Sequence, residues 1–341
     1  MEIIEQENYT PNYKLPSERM LAFKFKASRR SVRLAYESLI EQGFVAKAHG
    51  KGYFTTGNNP NKYPPTTFST KKIYFIVSAL TTAFARSILY GITDFCDKHT
   101  LDVSIKLTRG DLQKEAQFIH SASISDIKGI ILFPLDHETV NEELLQLSAK
   151  RYPLVVIDRY CKNVNSSFVA TDNHNAMVEA IKFLHSKKFQ HILYLTWPIS
   201  LVTSVEERLN GYYEGITKYY GTRDKANVLT IQYSSFEEIY QGVVSFLKSN
   251  PNIDVIIAPG FQTATDAIIA AVNHLGLSIP NDIKLMIFDN DFSSTELKLI
   301  KPYAIEQDAY QIGYRSAAAL YNQLYGDLRT ETIRLPVNII D

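Results

Sequence analysis

One stretch in the distal half of the chain decides the fold: Leu285-Met286-Ile287-Phe288-Asp289-Asn290-Asp291. A continuous apolar run followed at once by acidic and amide side chains is typical of a strand that is buried on both faces of a parallel sheet. Ligands bind beyond the carboxyl ends of such strands. Asp289 therefore stands where a binding site is expected.

Seven further apolar runs precede this one, and stretches of helical periodicity separate them. The runs are Ile73–Ala79, Val103–Leu107, Gly129–Phe133, Leu154–Ile157, Ile192–Leu195, Val228–Ile231 and Val255–Ala258. This alternation predicts an α/β domain in which helices cover both faces of parallel sheets. Eight such units are more than one open sheet comfortably holds, so we expect two similar lobes.

A break in composition separates this domain from the N-terminus. Residues 57–72 contain three prolines and almost no aliphatic side chain, which is typical of a linker. We therefore expect three parts: a small domain at 1–56, the linker at 57–72 and the α/β domain at 73–341.

The small N-terminal domain carries an excess of positive charge. The whole chain has 36 basic and 36 acidic residues, but between Lys14 and Gly52 nine Lys or Arg stand against three Glu. Ser17 is suited to cap one helix and Ser28 a second helix. On the second helix one face is spaced for burial and the opposite face is basic. The first set is Val32, Ala35, Tyr36 and Leu39, and the second is Arg29, Arg30 and Arg33.

The basic helix has two interpretations. A charged helix face is usually just a solvated surface, and a small helical domain would show the same pattern. Arginines that cluster with hydroxyl side chains at the start of a helix are also what reading of the DNA major groove requires. A tight turn at His49-Gly50-Lys51-Gly52, between two short strands, predicts a wing. We favour a winged helix-turn-helix of α+β type that binds double-stranded DNA.

Four submotifs in this domain resemble the GntR family of bacterial regulators. They are Leu15-Pro16-Ser17-Glu18-Arg19, Ser28-Arg29-Arg30-Ser31-Val32-Arg33, Glu41-Gln42-Gly43-Phe44-Val45 and His49-Gly50-Lys51-Gly52-Tyr53-Phe54. The resemblance implies that Arg19, Arg29 and Arg33 contact phosphates and bases. It also implies that Ser28 and Ser31 support the recognition helix and that His49 and Gly50 enter the minor groove, with Arg30 and Lys51 on the same basic surface. The family usually has a full helix before this motif, whereas barely a dozen residues precede it here.

Several classes of protein are not favoured by the sequence. The two cysteines, Cys96 and Cys161, have no disulfide or zinc-site spacing, which fits a reduced compartment. The acidic first residues have no apolar region of the kind that a signal peptide contains, and no apolar run approaches the roughly 20 residues of a membrane helix, so we expect an unexported protein. Motifs of the common hydrolases, kinases and dehydrogenases are missing. We expect a cytoplasmic protein that is not an enzyme and needs no cofactor or metal.

Polar residues follow several predicted strands of the large domain. Asp136, Asp158 and Asp289 each come after an apolar run, where they are suited to bind a neutral polyol. Each one alone is more simply explained as a helix cap or turn residue.

Longer motifs of the large domain resemble the LacI/GalR sensor domain over roughly residues 73–341. They are Val169-Ala170-Thr171-Asp172-Asn173 with Phe183-Leu184-His185, Glu207-Arg208-Leu209-Asn210-Gly211-Tyr212, and Leu277 to Asp289. The resemblance implies a periplasmic-binding-protein-like fold of two lobes with a ligand cleft and a dimer interface. A GntR-like reader joined to this sensor is the plan of the Bacillus arabinose repressor subgroup, which the chain resembles.

The second resemblance also implies site residues. Arg208 and Asp289 match the residues that grip sugar hydroxyls in LacI-like sensors, because a guanidinium fork and a carboxylate can each make paired hydrogen bonds to vicinal hydroxyls. The family's Asn-Asp pair after a later strand is missing, and Gln262 is a candidate substitute. Trp197 either stacks on a sugar or packs in the core. Phe84 and Arg86 are weaker candidates for the opposite wall.

The sequence therefore predicts a homodimeric regulator of transcription, a repressor by resemblance, that responds to a small sugar or sugar derivative. Two alternatives remain open. A sugar-binding protein without regulatory role would not need the basic N-terminal domain. An enzyme fused to a DNA-binding segment, such as an aminotransferase, would have few residues for its fold after the linker.

Overall fold

The computed structural model describes residues 2–7, 10–48, 51–57, 71–135, 141–198, 202–232, 235–289, 300–326 and 328–341. The chain divides into two compact units, Met1–Phe68 and Ser69–Asp341. We call the first the reader and the second the sensor. The division falls inside the segment predicted as a linker, and the first sensor strand begins at Lys71.

The reader consists of short helices and a two-stranded wing. Its elements are α1 (Glu2–Gln6), α2 (Glu18–Lys24), α3 (Arg29–Glu41), β1 (Val45–Ala48) and β2 (Gly52–Thr55), with β1 antiparallel to β2. Both predicted caps form, since Ser17 accepts a hydrogen bond from the backbone N–H of Met20 and Ser28 accepts one from Ser31. The helix before the motif has only five residues, yet Ile4 is 2% exposed because it packs into the reader core.

One face of α3 packs as the sequence predicts, with one exception. Val32 and Tyr36 are buried, and Leu39 is partly buried. Ala35, which has the spacing of a core residue, is exposed. It borders an open apolar groove of about 410 Å³ between the reader helices, so no neighbouring side chain covers it.

The first lobe of the sensor is a six-stranded parallel sheet with the order β13-β7-β6-β5-β3-β4. The strands are β3 (Lys71–Val77), β4 (Leu101–Leu107), β5 (Ile127–Leu132), β6 (Leu154–Ile157), β7 (Ser167–Thr171) and β13 (Thr332–Leu335). The described helices are α4 (Ala83–Lys98), α5 (Leu112–Ile124), α6 (Glu142–Ala149) and α11 (Ala309–Tyr325). Separate apolar clusters lie on the two faces of the sheet, as expected for buried parallel strands.

The second lobe repeats this plan with the strand order β14-β12-β11-β10-β8-β9, in which only β14 is antiparallel to its neighbour. The strands are β8 (Ile192–Thr196), β9 (Asn227–Thr230), β10 (Val255–Pro259), β11 (Lys284–Phe288), β12 (Tyr303–Gln307) and β14 (Val337–Ile340). The described helices are α7 (Asn173–Ser186), α8 (Thr203–Tyr220), α9 (Phe236–Ser249) and α10 (Gln262–His274).

All eight predicted apolar runs are strands, but four further strands have no such run. The strands β13 and β14 alternate between exposed and partly buried residues at the sheet edges. Only two residues of β12 are buried, and β7 begins with a serine. The strands β12, β13 and β14 therefore lack the apolar continuity on which the prediction rested, whereas β7 is buried throughout but has only three consecutive apolar residues, Phe168 to Ala170.

The chain passes between the two lobes three times, at neighbouring positions. The crossings follow Thr171, Gln307 and Leu335, which end strands β7, β12 and β13. Leu335 is paired with Thr171 across the first sheet, and Val337 is paired with Gln307 across the second. The three crossings therefore form one hinge at the carboxyl ends of the parallel strands.

Candidate effector cleft and DNA-reading helix

Two aspartates occupy equivalent positions in the two lobes. Asp158 follows β6 with φ of 67°, and Asp289 follows β11 with φ of 66°. Each donates its backbone N–H to the neighbouring strand, to Val169 and to Ile305 respectively, at 3.0 Å. Aspartate is one of the few residues that tolerates this left-handed conformation. The repeated geometry turns each carboxylate away from its strand at the edge of the sheet where ligands bind.

Asp158 forms a buried ion pair with its neighbour in the chain. The Nε and Nη2 atoms of Arg159 both lie 3.0 Å from Oδ2 of Asp158, and the guanidinium lies 5.1 Å from the centre of the Phe133 ring. Burial raises the pKa of Asp158 to about 7, although the nearby Arg208 opposes this shift. Burial also lowers the pKa of Arg159 to about 10. A charged Asp158 is therefore costly even though it is paired.

The raised pKa of Asp158 predicts a pH-dependent difference between the wild type and Asp158→Asn. Between its ordinary pKa of 3.8 and about 7 this carboxyl is ionised in the unfolded chain but keeps its proton in the folded protein, so the wild type loses stability as the pH rises through this range. Relative to the wild type, we expect the variant to gain on the order of 2–4 kcal/mol in the free energy of unfolding over this range. Urea unfolding at several pH values tests this, with the exposed Asp102→Asn as control. Parallel pH profiles for the wild type and Asp158→Asn would contradict the prediction.

Arg208 is held on two sides in the second lobe. Its Nε donates a hydrogen bond of 2.7 Å to Oδ1 of Asn173, and its guanidinium stacks 3.5 Å from the centre of the Phe288 ring. Asn173 is 1% exposed and donates in turn to the carbonyl of Thr171. The terminal amino groups of Arg208 make no hydrogen bond with any other residue that the structure describes. Phe288, on which the guanidinium stacks, is followed in the chain by Asp289. A guanidinium fixed in this way can present both terminal amino groups to a ligand that also contacts Asp289.

Two cavities open at this edge of the sheets. One of about 390 Å³ lies in the first lobe, and one of about 240 Å³ is lined from both lobes. Phe84 lines both, Arg159 lines the larger, and Asp289 and Gln307 line the smaller. Their size and mixed apolar and polar lining suit a small ligand. We call the two cavities together the cleft.

The structure brings some of the sequence-predicted residues to the cleft and places others elsewhere. Phe84 packs edge-on against Phe133 at 6.2 Å within the larger cavity. Arg86 instead donates to the carbonyls of Leu80 and Thr81, so it braces the loop before α4. Asp136 lies outside the described residues.

Trp197 and Gln262 do not line either described cavity. Trp197 lies 5.4 Å from the Phe261 ring and packs on the core of the second lobe, which was the alternative role given to it. Gln262 begins α10, where it is exposed and donates to Asp266 at 2.6 Å. The Gly260 before it approaches the next strand so closely that a Cβ would lie 1.7 Å from the carbonyl oxygen of Asp289. Gly260 belongs to the segment that stands where the family has its Asn-Asp pair. The backbone of this segment therefore packs closely against the backbone of Asp289.

Sequence reasoning missed two residues that line the cleft, Arg159 and Gln307, and one residue that holds Arg208 in place, Asn173. Arg159 follows Asp158 in the chain and had no predicted role, and Asn173 was named only as the last residue of the Val169–Asn173 motif. Gln307 ends β12, a strand without an apolar run, so nothing in the sequence pointed to it. Its side chain donates to Asp289 at 2.6 Å.

Helix α3 of the reader exposes Arg29 and Arg30 to solvent at its first turn. Arg29 and Arg30 are the first residues of α3, and the Ser28 and Ser31 hydroxyls lie 2.9 Å apart at the same helix end. Arg19 and Lys51 are also exposed. His49 and Gly50 lie outside the described residues.

Arg33 differs from the other arginines because it is already engaged. Its Nε and Nη2 donate to the two carboxylate oxygens of Glu18 at 3.3 and 3.1 Å, and Tyr53 donates to Glu18 at 2.7 Å. These hydrogen bonds lower the pKa of Glu18. The network joins α2, α3 and the wing, so Arg33 helps to fix the orientation of α3 within the reader.

The described residues show neither a membrane span nor a metal centre. No helix in the described part of the chain has the length and apolar character needed to cross a bilayer. Within that same part, His, Cys, Asp and Glu do not gather in groups of three or more that could hold a metal.

Comparison with known proteins gives the same two units. The sensor matches the periplasmic binding protein domain over residues 73–328, and the reader matches the bacterial regulatory proteins of the gntR family over residues 2–55. The HTH-type transcriptional regulator KdgR of Bacillus subtilis is 26% identical over 275 residues, which is 79% of each chain. The arabinose metabolism transcriptional repressor of Halalkalibacterium halodurans is 25% identical over 166 residues, 48% of this chain and 44% of the relative.

A solved structure agrees with the fold of the sensor. A LacI family transcriptional regulator from Enterococcus faecium with bound ribose has a TM-score of 0.63 and 22% identity, and covers 80% of this chain and 97% of its own. The fold and both resemblances predicted from the sequence are thus confirmed, and the named relatives are regulators of transcription rather than enzymes. The chain belongs to the periplasmic binding protein domain family and joins that domain to a DNA-binding reader of the gntR family.

Proposed function

We propose that this protein is a repressor of transcription that binds operator DNA through its reader and changes its operator affinity when a monosaccharide or a close derivative enters the cleft. The observation that carries the proposal is the fixed fork of Arg208 beside Asp289. Asn173 and Phe288 hold the guanidinium in place. An immobilised fork and a carboxylate are suited to vicinal hydroxyls, because each makes paired, charge-assisted hydrogen bonds.

The other wall of the cleft fits the same class of ligand. Phe84 and Phe133 offer apolar surface to the carbon face of a sugar ring. The arabinose repressor and the ribose-bound regulator support a monosaccharide effector, since both sugars present several adjacent hydroxyls. We place the protein in the cytoplasm, where operator DNA and such metabolites meet.

A gel-shift titration tests the proposal directly. The full chain is mixed with DNA from upstream of its own gene, and a panel of pentoses, hexoses and their acid and phosphate derivatives is added. We expect the protein to retard this DNA specifically. We also expect one member of the panel either to release the DNA from the protein or to increase the affinity of the protein for it. Retardation that no member changes would remove the sugar assignment, and absence of specific retardation would remove the regulator assignment.

The DNA-bound form is proposed to be a homodimer. One winged helix buries too little surface for operator-level affinity, so two readers on a two-fold-related site are expected. Sedimentation of the full chain at micromolar concentration, with and without operator DNA, measures this. Monomer under both conditions would exclude the dimer.

A further inference from the structure

The side chain of Gln307 joins the two lobes at the hinge. Its Oε1 accepts a hydrogen bond of 2.6 Å from the hydroxyl of Thr171, the last residue of β7 in the first lobe. Its Nε2 donates a hydrogen bond of 2.6 Å to Oδ2 of Asp289 in the second lobe. The backbone N–H of Gln307 also points to Oδ1 of the same carboxylate, at 3.5 Å. One amide therefore lies between a hydroxyl of one lobe and the carboxylate of the other.

The chemistry of the two contacts fixes the orientation of this amide. Asp289 as a carboxylate accepts hydrogen bonds only, so the group that faces it must be the Nε2 donor. The other end of the amide is then the Oε1 acceptor, and the Thr171 hydroxyl must donate to it. Thr171 is 1% exposed, so its hydroxyl is screened from water that could replace Gln307. A side chain that accepts at one end and donates at the other is needed at this place.

We infer that Gln307 is a positioning residue for effector binding, which holds the Asp289 carboxylate toward the cleft and makes its orientation depend on Thr171 in the opposite lobe. The inference rests on the proposed function, because Asp289 must be a ligand-binding group. Asp289 and Gln307 both line the smaller cavity, which is bounded from the first lobe by Phe84 and Ser87. A change in the angle between the lobes thus shifts the Asp289 carboxylate through the Gln307 amide. A ligand bound to Asp289 acts on the hinge through the same two hydrogen bonds.

The order of effects among four variants tests the inference. Effector affinity is measured by calorimetry with the monosaccharide that the gel shift identifies. We expect a loss of about tenfold for Gln307→Met, which removes both hydrogen bonds. Gln307→Glu keeps the size and the acceptor but places a second carboxylate against Asp289, so its loss should be larger. Thr171→Val should lose a smaller factor, and Thr171→Ser, which keeps the hydroxyl, should stay near wild type.

A purely structural role predicts a different order. If Gln307 only filled space, the isosteric Gln307→Glu would be milder than Gln307→Met, and that result would overturn the inference. The matched control is Gln323→Met, because Gln323 is a buried glutamine of the first lobe that bonds Leu154 and the Ser167 hydroxyl at the other end of the sheet. The control should lose stability and keep the wild-type effector affinity.

A measurement without effector separates failure of this inference from failure of the proposed function. Thr171 and Asp289 are linked through Gln307, so Thr171→Val and Asp289→Asn should be non-additive in the free energy of unfolding. The non-additivity should vanish when both are made in the Gln307→Met background. If the wild type binds no sugar, the proposed function fails and this cycle alone decides whether the link exists. Additive effects in the wild-type background would overturn the link even when the sugar binds.

Discussion

Arg208→Met is expected to weaken effector binding by about a hundredfold while operator binding without effector stays near wild type. Methionine keeps an unbranched side chain that packs on Phe288, but it removes the charge and both terminal donors. A hydrogen bond from a charged group contributes roughly 1.5–3 kcal/mol, and two such bonds to vicinal hydroxyls are lost together. Their combined loss, reduced by water that replaces the guanidinium, corresponds to about two orders of magnitude in affinity.

A second arginine gives a matched control for this variant. Arg223 stacks 3.8 Å from the centre of the Tyr213 ring on the exposed surface of the second lobe. Arg223→Met makes the same change on an aromatic ring outside the cleft and should leave effector affinity unchanged. Asn173→Ala, which frees Nε of Arg208, should cost about tenfold because the fork is no longer fixed. An effector affinity of Arg208→Met within a factor of three of the wild type would exclude Arg208 from the site.

Simultaneous replacement of Arg29 and Arg30 by alanine is expected to lower operator affinity by about a hundredfold or more. Both side chains are exposed at the first turn of α3, where a recognition helix meets base edges and phosphates. Each contact of this kind contributes about 1–3 kcal/mol. Loss of phosphate contacts should also flatten the dependence of affinity on salt, because fewer counterions are released.

The control for the reader is Lys24→Ala. It removes one positive charge at the end of α2, at a position that was not predicted to contact DNA. Fluorescence anisotropy at several salt concentrations should give this variant nearly the wild-type affinity. If the loss of operator affinity for each positive charge removed were the same in Lys24→Ala and in the double variant, the assignment of α3 as the recognition helix would be wrong.

The sequence by itself determined the two units and most of their strands. Buried parallel strands need apolar residues at successive positions, so eight strands of the sensor stand out in the sequence without knowledge of their neighbours, including β4 and β9 at the sheet edges. Helix caps are equally local, and Ser17 and Ser28 cap α2 and α3 as predicted. Asp289 could be found in the same way, because a strand end is visible in the order of residues.

Only the tertiary structure decided which polar side chains meet. Edge strands such as β13 and β14 are half exposed, so they carry no continuous apolar run, and the hinge that they help to form is invisible in the sequence. Arg33 looked like the other arginines of α3 until its pairing with Glu18, fifteen positions earlier, was known. The same holds for Gln307, whose partners Thr171 and Asp289 come from different lobes. A local sequence pattern indicates which residues are buried and where the chain turns. Hydrogen bonds between distant segments depend instead on how the whole chain folds.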